Sequence, residues 1–209
     1  MPERPKKALV SPHRPAFSID TLMEELWLEE VGPYTDKIKK PYKDSKGKWT
    51  IGVGHLIGDG SQKALRKSEF RNKVLSKEQI MDLARKDSDA KIQRVLRQFG
   101  KQFFDFQPET QLQIVSSYYR GGLPGSPKTL EHMGKGEFDL ASKEFLDNDE
   151  YRKSVKDKSG VAPRMVKLSK ALAKEQVLRK QKKALPAPEN KSFQETVEDR
   201  LQKQSNNER

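Results

Sequence analysis

The sequence predicts an α+β protein: a small helix-plus-β-hairpin portion, one long connecting helix, and then a run of helices. Three observations carry that expectation. Turn residues and β-formers concentrate in one stretch, residues 41–57. Capping signals and apolar residues at helical spacing dominate the chain beyond it. At 209 residues the chain is long enough for one substantial domain with terminal segments to spare.

Taken in order, residues 1–17 hold four prolines among basic residues and read as an extended basic arm. A first helix starts near Thr21, where Thr-Leu-Met-Glu forms a capping box closed by Glu24. Leu22, Met23, Leu26 and Trp27 form its apolar face, and Gly32-Pro33 ends it. Pro41–Lys43 reads as a strand, residues 44–47 as a turn, and Trp49–Val53 as the returning strand. Residues 58–75 are polar, basic and loop-like. Ser76-Lys77-Glu78-Gln79 is a second capping box. It opens a long helix with apolar residues at Ile80, Leu83, Ala84, Ala90, Ile92 and Val95. Further helices are expected over 109–119, 127–134, 138–147 and 161–179, broken by Gly-Gly-Leu-Pro-Gly at 121–125 and by Gly160. From Gln181 the core pattern is lost. Ala-Leu-Pro-Ala-Pro reads as a linker, and residues 192–204 as a lone charged helix or a disordered segment. The expected organisation is an arm (1–17), a domain (18–180) and a charged linker and tail (181–209). Within the domain lie a small α/β lobe (18–75), a connecting helix (76–98) and a helical lobe (99–180), with a ligand-sized cleft expected between the lobes.

Composition excludes several kinds of chemistry. There is no cysteine, hence no disulfide framework, thiol nucleophile or thiolate metal site. His13, His55 and His132 are scattered, so neither a metal nor a cofactor is expected. No window reaches the roughly 18 apolar residues of a membrane span, and the N-terminal stretch lacks the apolar core of a secretory signal. A formal charge of +12 favours polyanionic partners such as anionic cell-envelope polymers. The aromatic residues are few and not interleaved with the basic ones, which argues against specific nucleic-acid binding.

One stretch carries chemistry. On a wheel of about 100° per residue, the apolar face of the first helix centres between Leu22 and Trp27. Glu30 falls in the middle of that face; Glu24, Glu25 and Glu29 fall outside it. A carboxyl set among apolar walls is disfavoured as an anion, which suits a general acid at neutral pH. Asp44 and Thr50 follow across one short hairpin. Two carboxyls in different surroundings beside a cleft are the equipment for glycosidic-bond hydrolysis, and a hydroxyl next to the second can hold water. Glycines 47, 52, 54 and 58 allow a polymer to approach the hairpin backbone.

The run Tyr-Lys-Asp-Ser-Lys-Gly-Lys-Trp-Thr-Ile-Gly-Val-Gly-His, after a helix ending in Glu-x-Gly, strongly resembles the phage-type (T-even-like) lysozymes, which are muramidases of glycoside hydrolase type. Ser-Lys-Glu-Gln-Ile-Met-Asp-Leu-Ala-Arg-Lys-Asp resembles that family's inter-lobe helix, and a weaker likeness runs to about residue 175. The resemblance implies a lysozyme-like two-lobed fold, peptidoglycan glycan strands as substrate, no cofactor, and Glu30, Asp44 and Thr50 as catalytic residues. It also implies a structural ion pair between His55 and Asp87. About five extra residues between Val31 and Lys40 keep Glu29 open as the alternative acid. Tyr119-Arg120-Gly121-Gly122 replaces the family's Phe-Asn-x-Gly. Gly54, Tyr119 and Arg120 are therefore candidate substrate contacts, with Arg120 alternatively pairing a structural carboxylate. The implied setting is a phage endolysin released from the host cytoplasm at lysis, or a virion-associated hydrolase that meets other virion proteins through residues 1–17 and 181–209. The rival readings are a non-enzymatic virion structural or DNA-associated protein on the same scaffold, and a transglycosylase cutting the same bond without water.

Overall fold

The computed structural model describes residues 14–30 (Glu30 by its backbone alone), 36–44 and 46–184. The expected helix stop at Gly32-Pro33, the inserted residues up to Thr35, Ser45 in the turn, most of the arm and the tail beyond Ala184 lie outside those residues. The chain divides into two compact units, residues 1–176 and 177–209. The first holds the sheet and the core; the second contributes, among the described residues, the last turns of the final helix. The architecture of the first unit is α+β, mostly helical with one small antiparallel sheet.

Helix α1 spans Ile19–Glu30 and begins two residues before the expected start. Its cap is Ser18, whose hydroxyl accepts the Thr21 amide at 3.0 Å. The expected Thr21–Glu24 box does not form, because Thr21 is already inside the first turn and its hydroxyl is hydrogen-bonded to Ser18. Leu22, Met23 and Leu26 are fully buried. Each such side chain contributes about 1.5–3 kcal/mol of burial.

The sheet follows the order β1-β2-β3, with β1 at Tyr42–Lys43, β2 at Trp49–Ile51 and β3 at His55–Gly58. Tyr42 pairs with Thr50, and Ile51 with His55. The return strand, expected to run to Val53, stops at Ile51. Gly52 and Gly54 both take positive φ (+62° and +85°) and reverse the chain into β3, while Val53 between them drops into the core. The polar 58–75 segment contains a short helix, α2 (Gln62–Lys67), capped by Ser61 and packed on β3, where the sequence suggests only loop. Gly52 N, at the end of β2, donates to Ile38 O, and Leu75 N donates to Lys39 O, tying the segments before and after the sheet together.

Helix α3, Lys77–Phe99, opens on a complete capping box: Ser76 Oγ accepts from the Gln79 amide, and Gln79 Oε1 accepts from the Ser76 amide. Ile80, Ala84, Ser88, Val95 and Phe99 form its buried stripe; Ala90, expected in it, is exposed. A 3-10 turn (Gly100–Asp105) leads to α4, Pro108–Arg120, whose Ile114, Val115 and Tyr118 lie in the core. Gln111 on this helix finds its partners nearby. It donates to Phe106 O and accepts the Ala16 amide, which pins residues 14–17 of the expected arm against α4. The left-handed Gly121 (φ +81°) ends α4. Then come α5 (Pro127–Lys135), α6 (Phe138–Leu146), α7 (Asp149–Asp157) and α8 (Val161–Ala184). Helix α7 has no counterpart in the sequence reading; Asn148 caps it, and Tyr151 and Val155 are its only apolar residues, too few to mark a core-facing helix.

Candidate functional site

A groove of about 580 Å³ opens between the sheet and the helical body. One wall is the β1–β2 hairpin, with Tyr42, Asp44 and Thr50; the other is the end of α4 and the start of α8.

The hairpin wall is shaped by one carbonyl. Asp44 N donates to Lys48 O at 2.9 Å, and the Thr50 hydroxyl donates to the same oxygen at 3.3 Å. The two residues, six apart in sequence, are therefore gathered around a single acceptor. Asp44 Oδ1 accepts the amides of Lys46 (2.9 Å) and Lys48 (2.8 Å), an Asx arrangement that fixes the carboxylate on the turn. Asp44 Oδ2 makes no hydrogen bond with the described residues, so it is available to a ligand. Thr50 is 3% exposed, and donation to Lys48 O leaves its oxygen lone pairs able to accept.

Gly54 lines the groove with φ +85°, and a Cβ there would sit 3.7 Å from the Tyr119 ring. Tyr119 crosses from α4 to the sheet, and its hydroxyl donates to Val53 O at 2.7 Å. That hydroxyl is occupied in joining two parts of the fold, so what Tyr119 offers the groove is a ring edge. Tyr42 is held in the same manner through Gly52 O.

The acids of α1 are arranged differently from the expectation. Glu25 and Glu29, placed outside the apolar face by the wheel, both turn inward: their side chains are 17% and 7% exposed. The wheel counts one apolar face as the whole inward side, whereas α4 and α8 also cover the Glu25–Glu29 edge. Trp27 is only partly buried and lies under Lys77 Nζ, 5.0 Å from its ring centroid. Glu25 and Glu29 stand at i+3 and i+7 from Leu22, on the edge of the helix that Leu22 and Leu26 border. Glu29 forms an ion pair with Arg120, the groove-lining residue at the end of α4. Lys167 Nζ of α8 comes within 2.6 Å of Glu29 Oε1, a second ion pair on the same carboxylate. Lys167 also bonds Glu25 Oε1 at 2.9 Å, which accepts from Gln113 Nε2 at 3.0 Å as well.

These contacts set the charge states of the cluster. Burial pushes the Glu25 carboxyl up, but hydrogen bonds from Gln113 and Lys167 hold it below its ordinary value overall. Burial likewise pushes the Lys167 ammonium down, and the closeness of Glu29 and Glu25 outweighs that and raises it. Glu29 thus faces two cations rather than an apolar wall, and Arg120 spends its guanidinium on a carboxylate of its own chain. The sequence reading missed Glu25, Gln113 and Lys167. The first was legible from its i, i+4 relation to Glu29; nothing local marks the other two.

Away from the groove wall, His55 Nδ1 lies 2.9 Å from Asp87 Oδ2, joining β3 to α3, and Phe70 stands edge-on to the imidazole at 5.4 Å. Among the described residues no group of three or more His, Cys, Asp or Glu could hold a metal ion, and no helix is long and apolar enough to cross a membrane. No protein-family model matches the chain, and no curated protein matches it.

Proposed function

We propose that this protein is a lysozyme-type glycoside hydrolase on a two-lobed, lysozyme-like fold, cutting β-1,4 bonds between N-acetylmuramic acid and N-acetylglucosamine in peptidoglycan. The observation that carries this reading is the hairpin wall: a carboxylate with one oxygen fixed and one unengaged, tied through Lys48 O to a buried threonine hydroxyl, facing a groove of about 580 Å³. Water accepted between Asp44 Oδ2 and Thr50 Oγ1 attacks the anomeric carbon and gives its proton to Asp44. The glycosidic C–O bond breaks, and the leaving oxygen takes a proton from the general acid. Inversion by this route requires carboxyls about 6.5–9.5 Å apart.

The general acid is Glu30. The Glu29 side chain is instead taken up in ion pairs with Arg120 and Lys167, which favours its neighbour for that role. Its engagement with groove-lining Arg120 also brings the last turn of α1 to the groove's edge. The enzyme acts on the cell wall as a phage endolysin or as a virion-associated hydrolase; mass spectrometry of purified particles separates the two settings. The test of the chemistry is clearing of peptidoglycan suspensions. Glu30→Gln and Asp44→Asn are expected to lower the rate by about 10²–10⁴-fold with folding unchanged. A Glu30→Gln protein that clears walls at the wild-type rate rejects the reading.

A further inference from the structure

We propose that four groove cations, Lys46 and Lys48 of the hairpin and Lys91 and Arg94 of α3, make this groove selective for glycan strands that carry negative groups. The inference rests on the hydrolase reading for the glycan, and on the groove's charges for the selectivity. Among the described residues, six lysines and arginines line the groove against two acids, Asp44 and Glu150. Two of the six are committed: Arg120 to Glu29, and Arg164, whose Nε donates to Gly160 O. Lys46, Lys48 and Arg94 are exposed and form no ion pair with the described residues, while Lys91 Nζ stands 6.0 Å from the Tyr119 ring centroid. The surrounding sequence reinforces them, since residues 36–75 carry eleven Lys and Arg against four Asp and Glu.

Like charges gathered in a concave surface repel one another and focus a positive potential into it. A neutral sugar polymer leaves that repulsion in place. A strand bearing carboxylates or phosphodiesters relieves it, so the groove's charge favours an anionic polymer over a neutral one. Nucleic acid fits less well, because the groove's Tyr42 and Tyr119 rings pack against the core and carry Lys37 and Lys91 over a face. No platform for base stacking is left between them.

The test is sedimentation of the full-length protein with insoluble cell walls in three forms: intact, stripped of phosphodiester polymers, and with carboxyls amidated. Binding to one or both charge-reduced forms is expected to fall about tenfold at low ionic strength, and the form that loses it identifies the anion. The variant Lys46→Gln/Lys48→Gln/Lys91→Gln/Arg94→Gln is expected to bind intact walls about tenfold more weakly. A variant with equal charge loss away from the groove, Lys101→Gln/Lys143→Gln/Lys156→Gln/Lys170→Gln, is expected to keep wild-type binding. Circular dichroism checks that both remain folded. Equal binding to all three walls overturns the proposal. So does equal loss in the two variants, or short duplex DNA displacing the protein from intact walls more effectively than soluble wall fragments. Wall clearing is read in parallel. Charge-selective binding without clearing leaves the anion selectivity standing and removes the hydrolase reading; clearing with charge-indifferent binding does the reverse.

Discussion

Replacing Glu29 by glutamine separates the structural acid of α1 from its neighbour. The carboxylate is 7% exposed and its partner Arg120 is 16% exposed, so this is a nearly dry pair. Removing one member of such a sheltered pair costs about 3–5 kcal/mol. The Lys167 contact adds little, because that lysine is 47% exposed and solvent screens it; about 0.2–1 kcal/mol is its scale. Glu29→Gln is therefore expected to lower stability by about 3–5 kcal/mol, and the melting temperature by about 6–20 °C for a domain of this size. The double variant Glu29→Met/Arg120→Met removes both charges and is expected to recover part of the loss, since a buried pair is close to neutral against an apolar replacement. Urea denaturation at neutral pH of the wild type, both single variants and the double variant gives the coupling directly. A loss below about 1 kcal/mol in Glu29→Gln, or a double variant no better than the sum of the singles, refutes the reasoning. The same set also tests which glutamate does the chemistry: Glu29→Gln is expected to clear walls when assayed well below its lowered melting point.

The same geometry fixes several other outcomes. Glu25 is held below its ordinary value of 4.5, so its stabilisation is complete above that pH and disappears as pH falls through the lower folded value. Acid titration of stability is expected to be flatter in Glu25→Gln than in the wild type over that window. Lys167, raised above its ordinary 10.5, contributes fully below that pH and loses its contribution as pH rises through the higher folded value; Lys167→Met is expected to flatten the alkaline limb. Breaking the His55–Asp87 link with Asp87→Asn at neutral pH is expected to cost about 1–3 kcal/mol, read from the denaturant midpoint, because both partners are mostly sheltered. Gly60→Ala places a Cβ about 2.2 Å from Gly47 O at a φ of +92°. The φ alone costs about 1–3 kcal/mol, and the clash pushes on the turn that holds Asp44, so thermal stability and wall clearing are expected to fall together.

The sequence by itself determined the elements whose causes are local. The Ser76–Gln79 capping box is written in four consecutive residues. Gly121 stops α4 because its left-handed φ suits glycine, and the Asp44 turn closes on amides two and four residues away. Asp44 and Thr50 could be read as partners because a two-strand register brings them to one carbonyl over six residues. Tertiary structure decided what the α1 acids face. The wheel puts Glu25 and Glu29 outside the apolar face, and they are sheltered because α4 and α8 cover that edge of α1 with Gln113, Arg120 and Lys167. The cations that answer them, Arg120 and Lys167, arrive from 91 and 142 residues away along the chain. A carboxylate's charge depends on which groups lie within a few ångströms of it, and no local pattern encodes a neighbour supplied by a distant helix. The same holds for Tyr119, whose hydroxyl could have met a ligand but is spent on Val53 O across the groove.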